Sequence, residues 1–218
     1  MKKTIAAIHA TIKAVGPMME EFRILAPNYE IRNFVNEEML SSVNRKGHVG
    51  KDDLRMFTRL MFEAMDAPAD CILVCCSIFC SYVPIMREFT DIPIVAINVP
   101  MLERAARIGG TIGIISTTPA SAPHTQAQIE AILSREGRQA QFCHEIVPGA
   151  MDSLKKGDAH GHDQIIADAI LRLKQKDCSC AVLSQITMAG AKHLLTPSPF
   201  PILTSPEEGV RKICSILK

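Results

Sequence analysis

A thiol followed by a hydroxyl at the end of an apolar run is the first arrangement in this chain with the makings of chemistry. Residues 70–81 read Asp-Cys-Ile-Leu-Val-Cys-Cys-Ser-Ile-Phe-Cys-Ser. Cys71 to Cys75 fits a buried parallel strand, and Cys76-Ser77 fits its carboxyl tip. Ligands of open α/β sheets bind outside the carboxyl ends of the strands, so this pair stands where chemistry is done. A helix that starts at once leaves backbone N–H groups, at Ser77 and Ile78, open toward an anion. Cys76 is therefore a candidate nucleophile or proton carrier. Such a thiol is expected to have a lowered pKa and to alkylate faster than an ordinary free cysteine. Cys71, Cys75 and Cys80 read as small core residues.

Other strand ends carry polar groups in the same way. An apolar run from residue 3 ends at His9, whose ordinary pKa suits acid/base work; otherwise it is a histidine bonded to a backbone carbonyl. Thr111 to Ile115 ends in Ser116-Thr117-Thr118, ahead of Pro119 and a helical stretch from Thr125 to Glu136, so Thr117 and Thr118 either cap the helix or hold an anion. Cys180 to Gln185 is followed by Ile186-Thr187, where Gln185 and Thr187 are candidate hydrogen-bonding groups. As an amide Gln185 orients a ligand or satisfies local backbone, but it carries no proton near neutral pH. Asn36 and Asn98, at or just beyond strand ends, are likewise able only to bind. Asp158-Ala-His160-Gly-His162-Asp163 has metal-ligand residue types, yet reads as a solvated loop capping a helix from about Asp163, so no metal site is assigned.

The elements that must position these groups alternate along the chain. Strands are expected at 3–9, 29–35, 71–75, 92–97, 111–115, 139–146, 180–185 and 201–204. Helices are expected after Gly16-Pro17 and at 51–67, 83–89, 101–108, 125–136, 163–174 and 206–217, from apolar residues at helical spacing such as Leu54, Phe57, Leu60, Met61 and Ala64. Strand and helix in alternation imply parallel sheets covered by helices. The apolar strand at 71–75 has a counterpart at 180–184, each preceded by an amphipathic helix. We read an α/β protein of two pseudo-symmetric lobes with an active-site cleft between them. Residues 1–98 with 205–218 form the lobe carrying Cys76, and 99–204 the lobe carrying Thr117 and Gln185.

Composition narrows the function classes. The chain has 218 residues, 24 basic and 23 acidic, with a net charge of +1 and no long block of either sign. That gives neither nucleic acid nor a membrane surface a basic face to bind. No run approaches the ~18 consecutive apolar residues of a spanning helix. Lys2 and Lys3 precede a stretch broken by His9, Thr11 and Lys13, which reads as a first strand and leaves the protein unexported. The eight cysteines lack the spacing of a zinc site, and free thiols in a reducing cytosol are the simpler account. The methionines at helical spacing, such as Met56, Met61 and Met65, read as core filler.

Taken in order, Cys76-Ser77, Ile92-Pro-Ile-Val95, Gly113-Ile-Ile-Ser-Thr-Thr118 and Val182-Leu-Ser-Gln-Ile-Thr-Met-Ala189 resemble the aspartate/glutamate racemase superfamily, which includes hydantoin racemases, maleate isomerases and arylmalonate decarboxylases. The likeness spans nearly the whole chain. It implies a cofactor-independent enzyme, commonly a homodimer, in which one thiolate removes the proton alpha to a carboxylate and a thiol on the other lobe returns it. Cys76 matches the first of these cysteines, Ser77 and Thr117 the carboxylate-binding hydroxyls, and Ser121 offers the hydroxyl that Ala120 lacks. The second cysteine should stand at Gln185. Cys178 and Cys180 lie too far back, at about 3.3 Å per residue, to replace it. The expectation is a racemase- or isomerase-type enzyme for a small carboxylic acid working through Cys76, with His9 as a second acid/base. A one-cysteine isomerase or decarboxylase and a non-catalytic carboxylate-binding protein stand as alternatives.

Overall fold

The computed structural model describes residues 2–218, which divide into two compact units. One runs to Val99 and takes up the chain again at Pro206–Lys218; the other is Pro100–Ser205. Each contains a four-stranded, all-parallel sheet.

In the first unit β1 (Thr4–His9) leads through a short 3-10 turn to α1 (Val15–Leu25), then to β2 (Glu30–Val35), α2 (Glu37–Lys46), α3 (Lys51–Asp66) and β3 (Cys71–Val74). The one-turn helices α4 (Ser77–Cys80) and α5 (Val83–Met86) follow, then β4 (Ile94–Ala96). Strand order is β2-β1-β3-β4. The central strands β1 and β3 are almost wholly buried, so they are apolar on both faces, whereas the edge strand β2 is partly open along its length and carries the polar Glu30, Arg32 and Asn33. α3 buries Phe57, Leu60, Met61 and Ala64 at helical spacing, as the sequence pattern required.

The helix α2 was not expected from the sequence. Its apolar residues are few, but its ends are well specified: the Asn36 side chain accepts the N–H of Glu38 at 3.1 Å, and Gly47 closes it at φ 76°, a left-handed cap that other residues adopt only at a cost. Asn36, read from sequence as a possible ligand group, is thus a helix cap.

The second unit repeats the order. α6 (Val99–Ile108), which starts at the boundary, precedes β5 (Thr111–Ser116), α7 (Ser121–Arg135), β6 (Gln141–Ile146), α8 (Pro148–Lys155), α9 (Ala159–Gln175), β7 (Cys180–Leu183), the 3-10 segment Ile186–Leu195 and β8 (Ile202–Thr204). The sheet order is β6-β5-β7-β8, the counterpart of the first. Period-two alternation sends Ile112, Ile114, Cys180 and Val182 toward a cluster with Met101, Leu102, Ile129 and Leu133 of α6 and α7. Ile115, Ala181 and Leu183 meet Ile166, Ile170 and Leu173 of α9 on the other face. α10 (Ser205–Ile216) closes the chain, and Gly209 in it packs so near Ile97 that an added Cβ would stand 3.2 Å from a side-chain carbon.

The segment Asp158–Asp163 corrects the sequence reading. It is the first turn of α9 rather than a solvated loop: the Asp158 carboxylate accepts the N–H of Gly161 at 2.8 Å, and His162 turns inward, fully buried, with Nδ1 2.8 Å from Asp163. A histidine placed on the buried face of a helix extends the apolar stripe, which residue-type patterning alone reads as polar.

Candidate active site

At the carboxyl end of β3, the Cys75 N–H still bonds the Ile8 carbonyl of β1 at 2.8 Å, and the chain leaves the sheet at Cys76. Cys76, in extended conformation, caps α4 by accepting the Phe79 N–H on its carbonyl at 3.0 Å. The neighbouring thiols are core groups. Cys71, Cys75 and Cys80 are buried, and each donates weakly to a backbone carbonyl at 3.7–3.8 Å. Burial pushes Cys71 and Cys80 up to about 12 and Cys75 well above the ordinary thiol range. All three stay protonated.

Cys76 differs in two respects. Its side chain is only half-buried, and the backbone N–H groups of Ile78 and Phe79 point at its sulfur. Burial raises its pKa, while those two donors pull the other way. The net direction is upward, which reverses the lowered pKa expected from the sequence. The reason is local: no cation approaches the sulfur among the causes of its shift, and two N–H dipoles do not outweigh desolvation. Ser77 is exposed beside it and Ile78 half-buried.

His9 ends β1 with its side chain fully buried. Its Nε2 lies 3.0 Å from Oδ1 of Asn33 on β2, an acceptor, which assigns the ring proton to Nε2. Nδ1 is then a bare acceptor, shielded from solvent and without a hydrogen-bond partner among the described residues. Burial lowers the pKa, with the Asn33 contact opposing, so the ring is neutral. Asn33 was not singled out in the sequence; its role follows from the parallel register, Ala7 against Asn33 and His9 against Val35, which brings it alongside His9.

The second unit builds its strand end from hydroxyls and one amide. Gln185 leaves β7 in extended conformation. Its Oε1 accepts the Thr117 N–H at 3.3 Å and its Nε2 donates to the Ser121 hydroxyl at 3.2 Å. Ser121 in turn lies 2.7 Å from the Thr118 hydroxyl, and Ser116 donates to the Thr118 carbonyl at 2.8 Å. Gln185 thereby clamps the β5–α7 turn to the end of β7. Of the two readings open for this residue, the local one describes its contacts. Three hydroxyl oxygens at this end, those of Thr117, Ser184 and Thr187, are shielded from solvent and without a hydrogen-bond partner among the described residues. Cys180 is deep in the sheet and held near 12 by burial.

Elsewhere, a shallow cavity of about 300 Å³ lined by Lys2, Lys3, Pro27, Asn28 and Tyr29 lies at the amino ends of β1 and β2, away from the strand tips. Among the described residues no three His, Cys, Asp or Glu side chains gather as metal ligands would. No helix among them is long and apolar enough to cross a membrane.

Two parallel α/β units of one topology, one ending a central strand in Cys-Ser and the other ending two strands in hydroxyls and an amide, define a doubled α/β protein with polar groups at its strand ends. Residues 50–213 match the Asp/Glu/Hydantoin racemase family, and the chain belongs to that family, whose named activity, racemisation, is an isomerase reaction. No curated protein matches the chain by sequence. Among solved structures it is similar to a glutamate racemase from Bacillus anthracis, with a TM-score of 0.71 and 16% identity over 100% of this chain and 82% of that one. An aspartate racemase homologue from Pyrococcus horikoshii gives 0.73 and 12%, covering 99% of each chain. An allantoin racemase from Klebsiella pneumoniae gives 0.70 and 16%, covering 99% of this chain and 87% of the other.

Proposed function

We propose that the protein is a cofactor-independent racemase or isomerase that moves the proton alpha to the carboxylate of a small acid through the Cys76 thiolate. The observation that carries this reading is the difference between Cys76 and its neighbours. Three thiols around it are sealed in the core, while Cys76 is half open at a strand end and receives the N–H groups of Ile78 and Phe79. Those donors favour the anionic sulfur that proton abstraction requires. In this assignment Ser77 and the Ile78 N–H serve the substrate carboxylate. Family resemblance carries Thr117, Thr118, Ser121, Gln185 and Thr187 over as substrate-binding groups. Free thiols fit a reducing cytosol, to which the proposal extends, and family resemblance extends it to a homo-oligomer.

A second acid/base is needed for inversion, because one thiol that takes and returns the proton on the same side retains configuration. Gln185 does not serve. His9 is the candidate: its bare Nδ1 accepts a proton and returns it.

The test is exchange of the α-proton. Incubated in D₂O with a panel of D- and L-amino acids, dicarboxylates and hydantoins, the protein should introduce deuterium at the α-carbon of at least one, read by proton NMR. Cys76→Ala should abolish it. Exchange that persists in the variant would sink the assignment of the thiolate.

The commitment of Gln185 to the β5–α7 turn favours one alternative, a carboxylate-binding protein without turnover. It predicts that the same panel yields binding by calorimetry, no deuterium in any compound, and unchanged affinity in Cys76→Ala.

A further inference from the structure

The second unit holds a pair of thiols that the proposed reaction does not use. Cys143 sits half-buried on the edge strand β6, in register with Gly113 of β5. Gly113 has no side chain there, and beyond it, on β7, stands only Ala181. The space this leaves on the α9 face of the sheet is filled by Leu173, and Cys143 and Cys178 pack in the same cluster. The chain reaches that space from α9 through Asp177, in the left-handed region at φ 55°, and Cys178 is fastened by its N–H to the Leu173 carbonyl at 3.2 Å. Cys178 and Cys143 pack in one cluster with Leu173, and the nearby Cys143 sulfur is among the causes that push the Cys178 pKa up. The core thiols of the first unit bond to backbone carbonyls; these two share one cluster and act on each other.

A cation stands over the pair. Lys176 bonds Glu145, two residues along β6 from Cys143, at 2.6 Å, and its ammonium acts electrostatically on both sulfurs. Arg172 shares the same carboxylate at 3.1 Å. A half-open thiol that packs with a second, buried one has the layout of a cysteine that meets peroxide and a cysteine that resolves it.

We propose that Cys143 and Cys178 are an oxidative modification site, converted by hydroperoxides to a disulfide that ties the edge strand β6 to the turn between α9 and β7. In the first step the Cys143 thiolate attacks the peroxide oxygen; the O–O bond breaks, hydroxide leaves, and Cys143 becomes a sulfenic acid. In the second the Cys178 sulfur displaces the sulfenic oxygen, which leaves with the Cys178 proton as water. With hydrogen peroxide the two thiols lose two electrons and two protons, and the peroxide is reduced to two waters. Burial and the neighbouring sulfur push Cys178 up to about 11, which suits it to the second role and not the first.

The experiment uses the intact protein. It is treated with about one equivalent of hydrogen peroxide, digested without reductant, and its peptides are sequenced by mass spectrometry. The expected product is a cross-link whose fragment ions join Cys143 to Cys178, about 2 Da lighter than the two free peptides and reversed by dithiothreitol. Cys178→Ser should lose the cross-link and leave a Cys143 sulfenic acid that dimedone traps. Cys76→Ser should retain the cross-link, which separates this site from the proposed active thiol. Free Cys143 and Cys178 alongside oxidised cysteines elsewhere would overturn the proposal. So would Cys143 driven to sulfinic acid without a bridge, or a bridge to Cys180 instead.

Discussion

Replacing Gln185 with Ala removes both arms of the clamp on the β5–α7 turn. The Thr117 N–H, on a residue 3% exposed, loses its acceptor. The Ser121 hydroxyl loses a donor but is half-open to water and keeps Thr118 at 2.7 Å. Only the first loss leaves a buried group unsatisfied, at about 1–3 kcal/mol; the second is exchanged for water at little net cost. At 3.3 Å the lost bond is long, so we expect about 1–2 kcal/mol, roughly a tenfold shift in the unfolding equilibrium. Gln185→Glu keeps an acceptor for Thr117, and Ser121 reverses its hydroxyl to donate to the carboxylate, so its loss should stay below about 0.5 kcal/mol. Urea unfolding followed by far-UV circular dichroism, with the slope compared between variants, measures both. If this turn also receives a substrate carboxylate, the glutamate places like charges in one site. That repulsion, about 1–3 kcal/mol at intermediate dielectric, weakens carboxylate binding while leaving the fold intact. An alanine variant as stable as the parent, or a glutamate variant that falls as far as alanine, would refute the clamp. Unchanged carboxylate affinity in the glutamate variant would refute the binding role.

Two further outcomes follow from packing and charge elsewhere. Asp53, buried at the start of α3, accepts from Ser42, the Gly50 N–H at 2.7 Å and Lys46 at 3.0 Å, which hold its carboxyl at about 2 against an ordinary 3.8. A folded pKa below the unfolded one contributes stability that is complete above about pH 4 and is lost as pH falls toward 2. The urea midpoint should therefore drop over that window in the parent and drop less in Asp53→Asn, and parallel pH profiles would contradict this. Gly113→Ala would put a Cβ 2.5 Å from Leu173 Cδ1, in a fully buried contact, so a loss of about 1–3 kcal/mol in the same urea experiment is expected, and an unchanged midpoint would show that Leu173 yields freely.

The parallel strands and the long helices were legible because each is a continuous apolar run or a strong 3.6-residue stripe. α3 and β3 are the clearest cases. α2 and α8 were missed because each buries few residues: α2 is set by its Asn36 and Gly47 caps, and α8 has only Pro148 in its first turn to mark it. His162 misled because a polar residue type was taken for solvent exposure, when its imidazole is held by Asp163 inside the fold. At the strand ends, residue type identified which groups stand there but not what they touch. Nothing in the sequence spacing tells that Gln185 reaches Thr117, or that Asn33 fixes the tautomer of His9, since both contacts cross between strands.

The sign of the Cys76 shift bears on how a single thiol would work. Were the sulfur a resting thiolate, a cation beside it would be required, and the causes of its shift include none; the two N–H donors lower the cost of the anion without making it the ground state. The thiol is then the stored form, and the thiolate is reached by losing a proton to water or to the substrate. His9 is a neutral imidazole with a bare nitrogen, but it is not placed to take that proton. β1 and β3 run parallel with Ile8 opposite Val74, so His9 stands opposite Cys75, and strand alternation turns it to the sheet face away from Cys76. Neither residue is among the causes of the other's shift: burial and Asn33 act on His9, burial and two N–H donors on Cys76. The pH dependence of Cys76 alkylation should therefore be the same in His9→Asn as in the parent. A profile that moves in the variant would show that the two residues exchange a proton.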